Sequence, residues 1–243
     1  MLTPKEFAKI PAVLRALQNP RNPQSILNYI CGCNIRDTAA RKALHVDENV
    51  EPLLSIWFES GTALDLLCQP FLPIIRELKS DPATLIEDEW ITIEGQAARV
   101  LLADQLSRSC FRGTSEAFSY DQIGRKLFKD LIGEKKIDKT LKLPPALLYL
   151  LPWALAHSED ISDLTSACEI IDITIDKYPQ FKLFEINKKA VNQHRQVLEK
   201  FGRYPQRNSE LGRISNPQEK AWLADKERLP IWAGGNLSFD TKI

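Results

Sequence analysis

Apolar residues recur at helical spacing along almost the whole chain, and this periodicity constrains the fold more than any other feature of the sequence. The periodic segments are separated by Pro, Gly or Ser/Asp positions of the kind that end one helix and begin the next. A first helix is predicted from a capping box at Thr3–Glu6 and an apolar stripe from Phe7 to Leu17. Further helices are predicted over residues 24–33, 36–45, 51–60, 62–80, 94–111, 119–132, 144–157, 161–178 and 181–202, and from Asn216 through Leu223.

Strand signals are few. The stretches "WITIEG" and "IIDITI" are β-branched, but the first is short and the second lies within a longer helical period with acids on its polar side. The sequence therefore predicts an all-α fold. Successive helices with short connections are expected to pack as antiparallel pairs, as in bundles and in tetratricopeptide-like superhelices, although no clean internal sequence repeat occurs.

Composition excludes several classes of partner. The 243 residues contain 32 Lys plus Arg and 32 Asp plus Glu, which gives zero formal net charge and a pI near 6.8. No overall field attracts nucleic acid or an anionic membrane. The longest uncharged run, residues 143–156, is shorter than the roughly 20 apolar residues of a membrane span and contains Pro152, so it is predicted to be a buried core helix.

The five cysteines are an odd number scattered along a chain too large to need disulfides. This pattern predicts a reducing, intracellular location, and the cytoplasm is favoured over an organelle. Cys31 and Cys33 match no zinc or redox spacing, so neither a metal nor another cofactor is predicted. The N-terminus has no signal-peptide core, while an organelle transit peptide stays open as a second interpretation.

Polar residues gather at three places in this otherwise apolar sequence. On the apolar helix of residues 98–114, Asp104 and Arg108 have i,i+4 spacing and are expected to pair inside the protein. At the end of another apolar helix, His157 is followed by Ser158, Glu159 and Asp160, which suit a cap and an ion pair. The third place is the loop after residue 201, where Gly202 is expected to end a helix. The candidate binding residues over the three places are Asp104, Gln105, Arg108, Arg112, His157, Glu159, Asp160, Arg203, Arg207, Asn208 and Arg213.

These motifs resemble those of a largely bacterial family known as domain of unknown function 924. The similar pieces are "LLADQLSR" with "FRGT" and "AFSYD", then "AHSED", then "FGRYPQRN" and "LGR" before "NPQE", in the same order and spacing over about residues 53–225. The resemblance implies a fold similar to the tetratricopeptide superhelix and implies that the candidate residues above, with Ser158, are the family's recurring polar positions. It implies no settled activity.

The resemblance also suggests domain boundaries and shows where this chain departs from the family pattern. It divides the chain into a helical N-terminal extension of residues 1–50, a helical domain of residues 51–226 and a tail of residues 227–243. Where the family usually has a Glu and a His, this chain has Ala156 and Gln206. Two titratable side chains suited to acid–base chemistry are therefore missing, and no catalytic residue is predicted.

Two hypotheses follow. In the first, the protein is a non-catalytic protein-binding or assembly subunit whose charged residues brace the fold, with residues 1–50 as a place for partner contact. In the second, Asp104, Arg108, Arg112, His157, Arg203 and Arg207 form a pocket for a small anion, in a binding protein or an enzyme. A solvent-connected cavity in which at least two of these arginines lack an acidic partner would favour a ligand, whereas one-to-one pairing with Asp104, Glu159 and Asp160 would favour bracing.

Overall fold

The structure is a computed structural model that describes residues 2–81, 85–133 and 136–237. Within these ranges the chain is helical, and its single β-bridge joins Pro230 to Leu237. The all-α prediction is confirmed. The α-helices are α1 (Pro4–Phe7), α2 (Pro11–Gln18), α3 (Pro23–Cys31), α4 (Thr38–Ala43), α5 (Asp47–Glu59), α6 (Thr62–Cys68), α7 (Leu72–Ser80), α8 (Asp88–Ile91), α9 (Ile93–Leu101), α10 (Ser107–Cys110), α11 (Asp121–Ile132), α12 (Ile137–Thr140), α13 (Pro145–Leu150), α14 (Trp153–Ala156), α15 (Ile161–Lys177), α16 (Leu183–Phe201) and α17 (Pro217–Ala224).

Proline divides three of the predicted helices. The first helix ends at Phe7 and a second begins at Pro11, although the capping box of Thr3 and Glu6 is present as predicted. A 3₁₀ segment, Gln69–Phe71, separates α6 from α7, and Pro152 lies between α13 and α14. In each case proline lacks the N–H that a continuous α-helix needs and its ring opposes the preceding turn. The apolar run 143–156 is buried as expected, but it forms two short helices.

One helical stretch changes its winding without breaking. Between α9 and α10, residues Leu102–Leu106 are π-helical, so the chain is helical from Ile93 to Cys110 with one widened turn. All five residues of this π segment are buried, and Asp104 and Gln105 are among them. Widened turns of this kind are rare and are found mostly at functional sites or other special positions.

The main core includes the N-terminal helices. Phe7 and Tyr29 are fully buried and their rings meet Trp57 of α5 edge to face, with centroids 6.5 and 5.8 Å apart. Helix α3 also packs on α9. Residues 2–50 therefore share a core with the rest of the described chain, and a partner contact in the N-terminal region stays a prediction. Among the described helices, none is both long enough and apolar enough to cross a bilayer.

The C-terminal part has a smaller core of its own. Helices α15 and α16 pack against each other, and Tyr204, Trp222 and Leu229 are buried near the far end of α16. Gly202 ends α16 with a φ of 71°, the left-handed conformation predicted for it. The chain after α17 then folds back, so that Trp232 packs against this smaller core.

Candidate functional site

Asp104, His157 and Arg108 meet inside the protein. Asp104 lies in the π segment and is only 3% exposed, while His157 follows directly after α14. The Asp104 carboxylate is 2.6 Å from Nδ1 of His157 and 3.3 Å from Nε of Arg108. The predicted i,i+4 pair of Asp104 and Arg108 is confirmed. His157 therefore serves as the hydrogen-bonded partner of a buried carboxylate.

The short contact to Asp104 fixes the tautomer of His157. Nε of Arg108 also lies 3.0 Å from this Nδ1, but the 2.6 Å contact with Asp104 is the shorter of the two. A carboxylate only accepts hydrogen bonds, so Nδ1 of the uncharged ring carries the proton and Nε2 keeps a lone pair. Burial, together with the neighbouring charge of Arg108, lowers the pKa of His157. Although burial alone would raise it, the pKa of Asp104 falls to about 2 because His157 and Arg108 stabilise the carboxylate. At neutral pH the cluster contains an ionised Asp104 and an uncharged imidazole.

A second carboxylate, Asp121, links two of the candidate arginines. Its oxygens lie 2.6 Å from Arg108 Nη2 and 3.0 Å from Arg207 Nη1, while Arg207 Nη2 donates to the carbonyl of His157 at 3.0 Å. Asp121 is the first residue of α11, where the helix dipole favours a negative charge. We refer to Asp104, Arg108, Asp121, His157 and Arg207 as the charge cluster. Its two acids and two arginines cancel in charge.

The remaining candidate arginines pair with acids outside this cluster. Arg112 makes two bonds of 2.7 and 3.0 Å to Asp65, and Arg203 makes bonds of 2.7 and 2.9 Å to Glu219. Arg213 lies 2.9 Å from Glu159. Glu159 therefore pairs with an arginine, as the sequence indicated.

Asp160, Ser158, Asn208 and Gln105 make local contacts. Asp160 caps α15 through the amide of Ser162 and pairs with Arg125 at 2.9 Å. The hydroxyl of Ser158 accepts from the amide of Asp160. Asn208 donates to Ser215 and Glu219 rather than to its own loop backbone, and Gln105 donates to Asp104 at 2.8 Å.

A cavity of about 270 Å³ opens beside the charge cluster. Three of the candidate arginines, Arg108, Arg112 and Arg207, line it together with His157 and Gln206. We call it the arginine cavity. Asp104 and Arg203 are not among its lining residues, so the structure brings together only part of the pocket that the second hypothesis names. Phe118 lies against two of the guanidinium groups, 5.7 Å from that of Arg108 and 4.9 Å from that of Arg207.

A larger cavity of about 570 Å³ shares part of its wall with the arginine cavity. His157, His194 and Trp232 line both cavities. Six of the larger cavity's fifteen lining residues carry an aromatic or imidazole ring, and we call it the aromatic cavity. It is lined by Glu51, Pro52, Leu54, Ser55, Phe58, Glu59, Tyr149, Trp153, His157, Leu183, Ile186, Ala190, His194, Ile231 and Trp232. Its volume is within the range of small-molecule sites.

Several residues of these sites are missing from the sequence-based candidates. Asp121 lies within the motif "AFSYD", but its pairing with Arg207 spans 86 residues and has no local signal. Asp65 and Glu219 are likewise distant in sequence from the arginines they bind. Trp232 lies in the predicted tail, yet it stacks on His194 with ring centroids 3.7 Å apart.

The cysteines and the potential metal ligands are scattered through the part of the chain that the structure describes. All five cysteines are free thiols, and burial raises the pKa of Cys68 to about 11. Among the described residues, no three His, Cys, Asp or Glu side chains are grouped so that they could hold a metal ion.

Within the described residues, the fold and site thus define an all-helical protein with a charge-balanced, partly buried Asp/His/Arg cluster beside a cavity. Residues 45–227 match the model of a bacterial protein family of unknown function, DUF924, and the chain belongs to this family. It is similar to the solved structure of the protein of unknown function ATU0120 from Agrobacterium tumefaciens, at 29% identity and a TM-score of 0.56, over 78% of this chain and 99% of that one. No functionally curated protein matches the chain.

Proposed function

We propose that the protein is a non-catalytic binding or assembly subunit in which the charge cluster braces the fold. One observation carries the proposal: each candidate arginine has an acidic partner, and the buried cluster itself is electrically neutral. A neutral cluster offers no excess positive charge to draw in an anion. Its arginines are already held by carboxylates, as bracing requires.

The positions of the members explain what the brace holds together. Asp104 comes from the π segment and Asp121 from the start of α11. His157 follows α14, and Arg207 lies in the loop after α16. The cluster therefore joins four parts of the chain that are far apart in sequence. Arg207 also stacks on Tyr204, with its guanidinium 4.5 Å from the ring centre, which fixes the loop further.

A protein partner and a tetratricopeptide-like arrangement of the helices belong to the same proposal. Several large apolar side chains are exposed, among them Leu66, Ile86, Ile91 and Ile214, and they are available to such a partner. Residues 1–50 stay a candidate region for this contact, although they also contribute to the main core.

Titration of the protein with inorganic phosphate, followed by its melting temperature, tests the brace. We expect no saturable shift, because the arginines stay paired with their acids. A bound ligand at a hundredfold excess over its Kd would add about 2.7 kcal/mol of stability, which a melting curve resolves.

Arg112→Gln is the informative variant because Arg112 lines the arginine cavity and its side chain is 46% exposed. The exposed Arg195, on α16 and outside that cavity, provides the control Arg195→Gln. A saturable phosphate shift that Arg112→Gln abolishes, with Arg195→Gln still responding and unliganded stability unchanged, would show that the arginine cavity binds an anion and would contradict a purely structural role for its arginines.

That outcome would instead support a second candidate function, a small-anion-binding protein or an enzyme. The observation in its favour is that Arg108, Arg112 and Arg207 line one cavity together with His157. The lone pair on Nε2 of this uncharged imidazole can accept a proton, while Asp104 would stabilise the resulting charge.

A further inference from the structure

The aromatic cavity has a continuous row of rings along its wall. Phe58 lies 6.1 Å from Tyr149 and 5.6 Å from Trp153, and Trp153 lies 5.2 Å from His194, measured between ring centroids. His194 in turn stacks on Trp232. Phe58 remains 46% exposed, so its ring is accessible at the edge of the cavity. Aromatic faces carry a negative potential and attract cations.

The ring positions are held by hydrogen bonds as well as by packing. Nδ1 of His194 lies 2.8 Å from the carbonyl of Ala190 one turn earlier, which fixes the ring and leaves Nε2 without a proton. The indole N–H of Trp232 donates to Gln193 at 2.8 Å. This wall is therefore preorganised, so less conformational entropy is lost when a ligand binds.

The charges around the aromatic cavity have one sign. Among the described residues that line it, the charged ones are Glu51 and Glu59, both exposed on α5, and neither Lys nor Arg is present. Burial lowers the pKa of His157 and keeps the pKa of His194 well below its usual value, so both imidazoles are uncharged at neutral pH. The charge cluster behind the wall is neutral. An apolar space with two carboxylates at its edge favours a positive ligand over a neutral or negative one.

We propose that the aromatic cavity binds a small organic cation, an ammonium group attached to an apolar body. The ammonium lies toward Glu51, Glu59 and the exposed face of Phe58, and the apolar body packs against Trp153, Leu183 and Ile186. The arginines of the charge cluster do not line this cavity. Cation binding can therefore be tested separately from the proposal that the cluster braces the fold.

Three probes with similar shape and different charge test this ligand class. Phenylethylamine is a cation near neutral pH, phenylethanol is neutral and phenylacetate is an anion. Isothermal titration of the full chain at low salt should show saturable binding of phenylethylamine, about tenfold tighter than that of phenylethanol. Tryptophan fluorescence provides a second readout, because Trp153 and Trp232 line the cavity. Binding of phenylacetate should be the weakest of the three.

The double variant Glu51→Gln with Glu59→Gln removes both carboxylates while it preserves side-chain size. It should reduce the preference for phenylethylamine over phenylethanol to about twofold or less. Glu48→Gln is the matched control, since Glu48 is exposed on the same helix and does not line the cavity. The proposal is overturned if phenylethylamine shows no saturable binding, if phenylethanol or phenylacetate binds as tightly, or if the control weakens binding as much as the double variant.

Discussion

The charge cluster beside the arginine cavity differs from the aromatic cavity, although the two cavities share His157, His194 and Trp232 in their walls. On the cluster side, charges are buried and paired one with another. On the cavity side, rings and aliphatic groups remain exposed, among them Phe58, Ile186 and Ile231 at 46, 43 and 55%. The difference teaches that the charged side chains of the cluster already have partners inside the protein, whereas the aromatic cavity leaves apolar side chains exposed.

The largest expected effect comes from the cluster side. Asp104→Ala should reduce the free energy of unfolding by roughly 3–5 kcal/mol, because it strands Arg108 in the interior with less compensation and removes the partner of His157. Chemical denaturation at neutral pH measures this loss.

Asp172→Ala is the matched control, since Asp172 forms an ion pair with Lys188 at the surface, where its side chain is 50% exposed. That change should cost no more than about 1 kcal/mol. If the two variants had the same stability, the contrast between a buried brace and ordinary surface charges would fail.

The pH dependence of stability gives an intermediate effect. The folded protein lowers the pKa of His157 and His194, so the unfolded chain binds protons more readily than the folded one. Their stabilising contribution is therefore complete above the unfolded pKa of about 6.5 and declines as the pH falls below that value. The free energy of unfolding should drop by up to about 1.4 kcal/mol per pH unit for each histidine.

Denaturation curves from pH 7.5 down to about pH 5 test this slope. His194→Phe keeps a ring in the stack and should remove part of the slope. Burial also lowers the pKa of His45, the remaining histidine, but His45 is less deeply buried, so His45→Gln should remove less of the slope than His194→Phe. If the free energy of unfolding of the wild type did not change over this pH range, the folded protein would not lower the pKa of these histidines.

The smallest effect is expected on the cavity side. Ile231→Ser changes a side chain that lines the aromatic cavity and is already 55% exposed, so little apolar area returns to water on unfolding. The free energy of unfolding should change by about 0.5 kcal/mol or less. A loss comparable to that of Asp104→Ala would mean that the cavity wall, rather than the charge cluster, holds the fold together.

Local features of the fold could be predicted from the sequence. The helix caps at Thr3, Asp160 and Asn216, the left-handed Gly202 and the i,i+4 pair of Asp104 with Arg108 depend on residues close together in the chain, and all are confirmed. Helix breaks at proline are harder to predict, because the apolar periodicity continues across Pro11 and Pro152 while the helical hydrogen bonds do not.

Long-range pairing could not be predicted in the same way. Nothing beside Arg207 in the sequence indicates Asp121, because their contact depends on how α11 and the loop after α16 pack. The π segment gave no signal either, since its residues continue the apolar helix pattern. Trp232 was assigned to a tail by the limits of the family resemblance, whereas stacking on His194 places it in the wall.

A double-mutant cycle between Asp121 and Arg207 tests the central claim most directly. The free energies of unfolding of the wild type, Asp121→Asn, Arg207→Gln and the double variant give the coupling between the two side chains. If they brace the fold, the coupling should be about 1–3 kcal/mol, with each single variant less stable than the wild type. A coupling near zero, with Arg207→Gln as stable as the wild type, would contradict the brace and leave this arginine without a structural role.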